Sequence, residues 1–285
     1  MSKLINTEVE KEYEASIQVA GSHYENFPVV SFLVPRRLRK HIAVVYRFAR
    51  QADDIADEGI IPDEDRLAIL SRYEEELTRA LCGHASGSFW TALVKTIHEY
   101  RLTSDYFFDL LNAFKQDIQK KRYESFPELL GYCRNSANPV GRIILELFNI
   151  RDKDTMEYSD NVCTALQLTN FYQDISQDYE KGRVYIPLDE IKRFSVTDKD
   201  FELKRNNANF QMLLKFQIDR TYELFRNGRN ILKILPFPLR NEIKCTILGG
   251  EKILSKIERT SYNTLNIRPK LSKTEYLSLL IKSLI

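Results

Sequence analysis

Two aspartates lie where a helix would be expected to place apolar side chains. The apolar run His41–Val45 continues directly into the acidic stretch Tyr46–Asp57. If both form one helix, Asp53 and Asp57 fall within about 60° of Ile42 on the helical wheel. That stripe should be buried, and an ionised carboxylate is costly to bury unless it is paired or holds a metal ion. Either this stretch is not a helix, or the two acids have a functional role.

The residues around these aspartates favour a cation site. Tyr46, Arg50, Asp53 and Asp57 recur at i, i+4, i+7 and i+11, so they share one helix face. Carboxylates about 5–6 Å apart can ligate one hard cation or lie on either side of two cations. The planar guanidinium group of Arg50 adds a positive charge to the same face. Asp54 turns away on this geometry. The alternative is a buried salt bridge from Arg50, which would account for one acid and leave the other unexplained.

A second stretch, Asn161–Tyr179, repeats this pattern. Asn170, Asp174 and Asp178 are spaced at i, i+4 and i+8, and the stretch carries only two charged residues, both aspartate. A solvent-exposed helix face would normally carry Lys and Glu. Cationic residues follow at once in Lys181–Tyr185. The alternative is a polar helix packed inside a bundle, with its amides satisfied by neighbouring groups.

Two facing acidic helices would suit the binding of Mg²⁺ and a diphosphate. Mg²⁺ prefers oxygen ligands and is usually shared between carboxylates and phosphate oxygens. Arg50, Lys181 and Arg183 could add charge-assisted hydrogen bonds. No glycine-rich nucleotide-binding motif is present, so we expect the diphosphate on an apolar substrate, among the 16 Phe and 15 Tyr. Aromatic faces stabilise the carbocation that forms when such a diphosphate departs.

Helical periodicity dominates the rest of the chain, which has only 10 Gly and 9 Pro in 285 residues. The predicted helices cover 35–57, 63–82, 88–100, 104–120, 125–135, 139–150, 154–180, 209–235, 237–257 and 272–284. We expect Asp198–Asn209 to be a surface loop, and only Val184–Ile186 looks extended. With no linker and no internal repeat, the sequence predicts a single all-α domain over 1–285.

Composition argues against several partners and locations. The net charge of +2 gives no reason to expect nucleic acid. The four widely spaced cysteines argue against a zinc site or a disulfide framework, and suit a reducing cytoplasm. No signal peptide is recognisable and no apolar run of about 18 residues occurs. The stretch Tyr276–Ile285 is apolar enough to touch a membrane, although a last bundle helix is the preferred interpretation.

Three parts of the chain resemble the squalene/phytoene synthase family, whose members join prenyl diphosphates head to head. They are Tyr46–Asp57, then Arg122–Tyr123 with Glu128–Cys133, and finally Gln167–Pro187, in the family's order and spacing. The resemblance implies an all-α isoprenoid synthase bundle with a central active-site cavity.

The same resemblance assigns site residues. It implies that Mg²⁺ and the diphosphate are bound by Asp53, Asp57, Asn170, Asp174 and Asp178. The four aspartates are expected to be catalytic, together with Tyr46 and Arg50, which would support the diphosphate. The implied substrate-binding residues are His23, Phe27, Asn138, Val140, Asn170, Gln173, Arg183, Tyr185 and Tyr262.

Two segments depart from the usual family pattern. Most members have His-Ser-x-Ser-Phe where this chain has His23-Tyr-Glu-Asn-Phe27, and a glycine where this chain has Asn138. The missing serines contact a diphosphate in the family, so their loss argues against the joining of two farnesyl diphosphates. The altered segments resemble the bacterial hydroxysqualene synthases of hopanoid biosynthesis, which ionise presqualene diphosphate, open its cyclopropane and add water. Asn138 could position that water.

This resemblance implies a pathway context and leaves alternatives open. A presqualene diphosphate synthase would supply the substrate, and a flavin-dependent desaturase-like reductase would remove the hydroxyl group. Peripheral contact with the inner membrane face would assist product release. One alternative is a head-to-head synthase that makes presqualene diphosphate, squalene or a phytoene-like product. The other is a non-catalytic scaffold, against which the retention of all the aspartates argues.

Overall fold

The computed structural model describes residues 2–22 and 34–284, with side chains for 7–21 and 34–284. Within this part of the chain the structure is helical and contains no β-strand, so the predicted all-α class is confirmed. The helices are α1 Ser2–Ser22, α2 Arg36–Asp57, α3 Asp63–Arg79, α4 Gly87–Tyr100, α5 Asp105–Gln119, α6 Phe126–Ser136, α7 Asn138–Leu147, α8 Lys153–Gln173, α9 Ile175–Glu180, α10 Leu188–Arg193, α11 Asp198–Glu202, α12 Ala208–Gly228, α13 Leu239–Arg259 and α14 Lys273–Leu284, with a π-helical turn at Ala80–His84 and a 3₁₀ turn at Arg229–Lys233.

All the helices predicted from periodicity are present; one is interrupted, and those predicted over 63–82 and 209–235 end in the π-helical and 3₁₀ turns. The helix predicted over 154–180 is divided at Asp174, whose backbone (φ −107°, ψ 12°) leaves the α-helical region. Periodicity does not predict α1 or α10. The extended conformation predicted at Val184–Ile186 is confirmed at its first residue, because a parallel β-bridge joins Val184 to Arg122. No helix in the described part of the chain is both long and apolar enough to cross a membrane.

The prediction of a loop over Asp198–Asn209 is wrong for its first five residues, which form α11, and for its last two, which begin α12. Thr197 and Asp200 form a capping box, in which the backbone N–H and the hydroxyl of Thr197 donate to Asp200 Oδ2 at 2.8 and 2.7 Å. Phe201 is buried in the same turn. A helix this short contains too few residues for a periodic pattern, so only its cap is visible in the sequence.

The chain divides into two compact units. The first, Met1–Gln119 with Pro139–Arg151, is built around α2, which packs against α1, α3, α4 and α5. The core of this unit includes Phe48, whose ring lies 5.3 Å from that of Phe107 between centroids. The helix that carries the first acidic stretch is therefore surrounded by the helices of its own unit.

The second unit, Lys120–Asn138 with Asp152–Ile285, is built around α8, which packs against α6, α12 and α13. The end of α12 approaches α8 at Gly228. A Cβ atom added there would lie 2.6 Å from Val162 Cγ2 and 3.1 Å from the backbone oxygen of Tyr158, which cannot move without a shift of α8. The lack of a side chain at Gly228 therefore allows α8 to lie against α12.

We expect Gly228→Ala to lower the free energy of unfolding by about 1–3 kcal/mol, the usual cost of overpacking. Gly131→Ala in α6 is the matched control, because a Cβ at Gly131 would have no neighbour within 4 Å. Alanine favours a helix interior over glycine by up to about 1 kcal/mol, so the control should be neutral or stabilising. Urea denaturation followed by circular dichroism measures both. Equal stabilities would contradict the importance of the contact.

Candidate active site

The first acidic cluster lies at the C-terminal end of α2 and centres on the guanidinium group of Arg50. Its Nη1 atom lies 3.1 Å from Asp53 Oδ2, and its Nη2 atom lies 2.6 Å from Asp54 Oδ1 and 2.7 Å from Glu58 Oε1. Burial lowers the pKa of Arg50, but the nearby carboxylates and the Tyr46 phenol outweigh it and leave the pKa raised. Arg50 therefore contacts three carboxylates, whose oxygens are the kind of ligand that also binds a hard metal ion.

The helical-wheel prediction of which side chains of α2 are buried is wrong at the C-terminal end of the helix. The buried stripe at this end of the helix consists of Val45, Phe48, Ala52 and Ala56. Asp53 and Asp57 are half-buried on the flank of that stripe rather than in its middle. Asp54, predicted to turn away, also pairs with Arg50. The two alanines turn inward with Phe48, and this rotation leaves the acids at an edge that water and ligands can reach.

Arg66 of α3 fixes the end of the helix that carries this cluster. It is buried, and its guanidinium donates to the backbone carbonyls of Ile55, Glu58 and Gly59 at 2.8, 2.9 and 2.7 Å. The end of a helix leaves such carbonyls without partners in the helix itself. Arg66 therefore holds in place the last turn of α2, which includes Asp57.

We expect Arg66→Leu to lower the free energy of unfolding by about 2–3 kcal/mol, because three charge-assisted hydrogen bonds are lost together. Arg72→Leu on the same helix is the control: Arg72 is exposed, so its replacement should change the free energy of unfolding by less than about 0.5 kcal/mol. Thermal and urea unfolding measure the difference. If both variants unfold alike, the contacts of Arg66 do not stabilise the end of α2.

The second acidic cluster lies where α8 meets α9. Both carboxylate oxygens of Asp174 accept hydrogen bonds from the guanidinium of Arg268, one from Nε and one, at 2.9 Å, from Nη2. Gln173 is buried, and its side-chain amide donates to the carbonyl of Pro269 at 2.6 Å. The segment between α13 and α14 is therefore bound to this acidic motif by a bidentate ion pair and an amide.

Asn170 and Asp178 extend the second acidic cluster by one turn in either direction. Asn170 is exposed and Asp178 is half-buried. After α9 the chain turns at Gly182, whose φ of +77° is a conformation that other residues rarely adopt. The backbone N–H of Arg183 then donates to the carbonyl of Asp178 at 2.8 Å, and the Arg183 side chain is buried. The turn thus brings a second cation back to the acidic motif.

Four aromatic rings in the second unit pack together: Tyr123, Tyr132, Phe171 and Tyr185, here called the aromatic cluster. Tyr185 stacks on Phe171, with ring centroids 3.8 Å apart and planes 7° from parallel. The rings of Tyr123 and Tyr132 each lie 5.8 Å from that of Tyr185. Phe171 and Tyr185 are close in the chain to Asp174 and Arg183, and all four rings are buried, so the cluster forms an apolar aromatic layer that adjoins the acidic motif in the chain.

A buried polar network, which sequence reasoning missed, connects α8, α10 and α12. It consists of Tyr172, Glu190, Gln217 and Arg220 and is here called the buried clamp. The Tyr172 hydroxyl donates to Gln217 Oε1 at 2.9 Å, and the Gln217 amide donates to the Glu190 carboxylate. Arg220 donates to both Glu190 oxygens, at 2.5 and 3.1 Å. Burial raises the pKa of Tyr172 to about 12, so its hydroxyl stays protonated as a donor.

The buried clamp holds the chain on both sides of the second acidic cluster. Tyr172 lies two residues before Asp174, and Glu190 lies in α10, which begins three residues after Tyr185. Arg220 also packs on Phe126 of α6, with its guanidinium carbon 3.3 Å from the ring centroid. The clamp therefore fixes the positions of the acidic motif and of the Arg183–Tyr185 segment relative to α12.

Four predicted substrate-binding residues lie in the two segments that depart from the family pattern, and the structure describes two of them. Asn138 is buried, and its side-chain oxygen accepts a hydrogen bond from the Thr164 hydroxyl at 3.0 Å. Val140 is about half exposed, at 47%. His23 and Phe27 lie outside the described residues. The contributions of these four residues to substrate binding stay predictions.

Tyr262, the predicted pocket tyrosine, follows the end of α13 with a φ of +59°. Burial raises its pKa, and the neighbouring Glu258 raises it further. The other charges that act on its phenol belong to Lys215 and Asp219, both on α12. None of these charged neighbours of Tyr262 belongs to the ion pair between Asp174 and Arg268. The role of Tyr262 in a substrate pocket stays a prediction.

The donor atoms of both acidic clusters fit Mg²⁺ chemically, because they are carboxylate and amide oxygens. Among the residues that the structure describes, no three carboxylate, imidazole or thiol groups converge to form a complete metal site on their own. A Mg²⁺ site that is completed by diphosphate oxygens and water needs only one or two carboxylates. Each cluster therefore fits an ion that is shared with a phosphorylated substrate.

An all-α fold with two arginine-paired aspartate clusters fits an isoprenoid synthase, an enzyme class that acts on prenyl diphosphates. A model of squalene/phytoene synthase matches residues 20–275. The chain belongs to the squalene/phytoene synthase family.

Two relatives and one solved structure illustrate the similarity. The chain is 37% identical to a hydroxysqualene synthase of Zymomonas mobilis subsp. mobilis over 200 residues, which cover 69% of this chain and 66% of that protein. It is 31% identical to a hydroxysqualene synthase of Sinorhizobium fredii over 241 residues, 82% of this chain and 80% of that protein. The crystal structure of squalene synthase HpnC from Alicyclobacillus acidocaldarius superposes with a TM-score of 0.84 at 39% identity, covering 90% of this chain and 97% of that one.

Proposed function

We propose that the protein is a hydroxysqualene synthase, which ionises presqualene diphosphate, opens its cyclopropane and captures water to give hydroxysqualene and diphosphate. The observation that carries the proposal is the pairing of both aspartate clusters with guanidinium groups. Carboxylates attract the metal ion and guanidinium groups attract the diphosphate. The two kinds of side chain can therefore bind both components of a metal diphosphate. The similarity to two bacterial hydroxysqualene synthases supports the choice of substrate.

We assign the binding of Mg²⁺ to the acidic clusters. The residues that would hold Mg²⁺ are Asp53 and Asp57 in the first cluster, and Asn170, Asp174 and Asp178 in the second. Bound there, Mg²⁺ supplies Lewis-acid stabilisation of the charge on the departing diphosphate. Arg50, with Tyr46 beside it, would donate charge-assisted hydrogen bonds to diphosphate oxygens at the first cluster, and Arg183 would do so at the second.

The aromatic cluster would protect and stabilise the carbocation that ionisation leaves. Aromatic rings have electron-rich faces, and buried rings such as those of Phe171 and Tyr185 exclude bulk water. Water must still reach the cation once, and Asn138, whose side-chain oxygen is held by the Thr164 hydroxyl, is our candidate for positioning it.

The proposal is tested by incubating the purified protein with Mg²⁺ and presqualene diphosphate and identifying the products by mass spectrometry. We expect hydroxysqualene and free diphosphate, without any requirement for a nicotinamide cofactor. Omission of Mg²⁺ is the control and should stop the reaction. No turnover of presqualene diphosphate, combined with good turnover of farnesyl diphosphate, would refute the proposal.

The second candidate is a head-to-head synthase that makes presqualene diphosphate, squalene or a phytoene-like product. The similarity to the squalene synthase from Alicyclobacillus acidocaldarius favours it. Products formed from farnesyl and geranylgeranyl diphosphates distinguish the two candidates, since a hydroxysqualene synthase should leave both substrates unchanged.

The proposed reaction also implies partner enzymes. Presqualene diphosphate has to come from a presqualene diphosphate synthase, and the hydroxyl group of the product would be removed by a flavin-dependent desaturase-like reductase. In an assay without added presqualene diphosphate, such a synthase together with farnesyl diphosphate should lead to the formation of hydroxysqualene.

A further inference from the structure

Two buried residues precede Asp174, and each is bound to a different part of the second unit. The hydroxyl of Tyr172 donates to Gln217 Oε1 on α12 at 2.9 Å. The side-chain amide of Gln173 donates to the carbonyl of Pro269, between α13 and α14, at 2.6 Å. Tyr172 and Gln173 are each 1% exposed, whereas the side chain of Asp174 is 22% exposed. The last turn of α8 is therefore held by two contacts, and the carboxylate that follows it is open to solvent.

The two contacts restrict the end of α8 in different directions. Successive side chains of a helix point about 100° apart, so Tyr172 and Gln173 are held nearly at right angles to each other. With one contact alone the last turn could still pivot about it, whereas two contacts in different directions leave it little freedom. Asp174 follows directly, where the backbone (φ −107°, ψ 12°) leaves the α-helical region. The two residues before Asp174 therefore set the direction of its carboxylate.

These contacts become most important when Asp174 binds a cation. In the structure Arg268 also holds the carboxylate, through two hydrogen bonds. A cation that binds Asp174 has to displace this guanidinium, and the carboxylate then loses its support. The hydrogen bonds of Tyr172 and Gln173 do not involve the carboxylate, so an exchange of its partner leaves them in place.

We propose that Tyr172 and Gln173 are positioning residues, which together keep the Asp174 carboxylate oriented towards a metal diphosphate. The inference rests on the proposed function, because that function assigns Asp174 as a Mg²⁺ ligand. It gives Gln173 a role different from the substrate contact that the family resemblance implies, since the Gln173 amide is buried and donates to a backbone carbonyl. Misplacement of a group by about 1 Å can cost roughly 10²-fold in the step that the group supports.

Tyr172→Phe tests the first contact. The substitution removes one hydroxyl group and leaves Gln217 Oε1 with a donor, because Arg220 Nη2 donates to the same oxygen at 2.7 Å. We expect it to weaken the binding of inorganic diphosphate in the presence of Mg²⁺, measured by isothermal titration calorimetry, roughly three- to tenfold, the equivalent of one hydrogen bond. The matched control is Tyr222→Phe, which removes a tyrosine hydrogen bond between α12 and α13, to Glu258, and should bind within about twofold of the wild type.

Gln173→Met tests the second contact and should have a similar effect, because methionine keeps the length of the side chain but donates no hydrogen bond. Its control is Gln177→Met, which changes an exposed glutamine of α9. The variant that combines Tyr172→Phe with Gln173→Met should lose more affinity than the product of the two single losses, because either contact alone still restricts the last turn. Urea denaturation of all variants serves as the structural readout, and each single variant should unfold at a urea concentration close to that of its control.

Inorganic diphosphate carries no hydrocarbon, so failure of this proposal is distinguishable from failure of the proposed function. Single variants that bind as tightly as their controls, in a protein that turns over presqualene diphosphate, would overturn the positioning role alone. Selective loss of binding, in a protein that does not turn over presqualene diphosphate, would support the positioning role and refute the proposed substrate. A wild-type protein that does not bind diphosphate with Mg²⁺ would overturn both.

Discussion

Replacement of Asp174 by asparagine is expected to lower kcat for presqualene diphosphate by roughly 10²- to 10³-fold, the usual effect of losing one preorganised charge contact. The amide keeps the size of the side chain but removes the negative charge to which Arg268 binds and to which Mg²⁺ is proposed to bind. Asp53→Asn should have a comparable effect, because it removes one of the two metal-binding carboxylates assigned to α2.

Asp219→Asn on α12 is the control for these variants. Asp219 is an exposed acid that pairs with Lys215 at 2.6 Å, outside both acidic clusters. Its replacement should leave kcat within about twofold, since exposed ion pairs contribute little. Initial rates are measured over a range of Mg²⁺ concentrations. A variant of Asp174 with the Mg²⁺ dependence and kcat of the wild type would contradict the assignment of this carboxylate as a metal ligand.

Arg220→Leu is expected to have the largest effect on stability, lowering the free energy of unfolding by about 3–5 kcal/mol. The substitution leaves the carboxylate of Glu190 buried at 7% exposure without its guanidinium partner. The adjacent Gln217 amide can donate one hydrogen bond but cannot neutralise the charge. Urea denaturation measures the loss.

Two further variants test the cause of this loss. Arg226→Leu, on the same helix, breaks an exposed pair with Glu223 and should cost less than about 1 kcal/mol. Adding Glu190→Gln to Arg220→Leu removes the stranded charge, so the double variant should be more stable than Arg220→Leu alone. If the second substitution lowers stability further, a buried uncompensated charge is not the cause of the loss.

The elements that the sequence predicted well depend on residues close together in the chain. Periodicity predicted α2 and α8, because a helix repeats its pattern every few residues. Arg268 contacts Asp174 across 94 positions, and Tyr172 contacts Gln217 across 45. No local pattern marks such pairs, because tertiary packing alone brings them together. The acidic motifs could therefore be found in the sequence, but the groups that pair with them and hold them could not.

The rotation of α2 shows a second limit of sequence reasoning. The prediction measured from Ile42 takes no account of the small side chains of Ala52 and Ala56. Both alanines nevertheless pack inward, and they determine which face of the helix is buried. The structure consequently gives Asp54 the same guanidinium partner as Asp53. Whether a carboxylate turns inward or outward depends on how closely neighbouring helices approach, which the order of residues does not reveal.

The ion pair between Arg268 and Asp174 has a thermodynamic consequence for ligand binding. The charge of this carboxylate is already balanced, so a cation that binds it has to exchange with a guanidinium that makes two hydrogen bonds. A bare metal ion would leave the displaced Arg268 facing a positive neighbour, whereas a metal ion that arrives with an anion offers it a new counter-ion. Metal and anion should therefore each raise the affinity of the protein for the other. This end of α8 should bind the metal ion and the anion together more tightly than it binds either one alone.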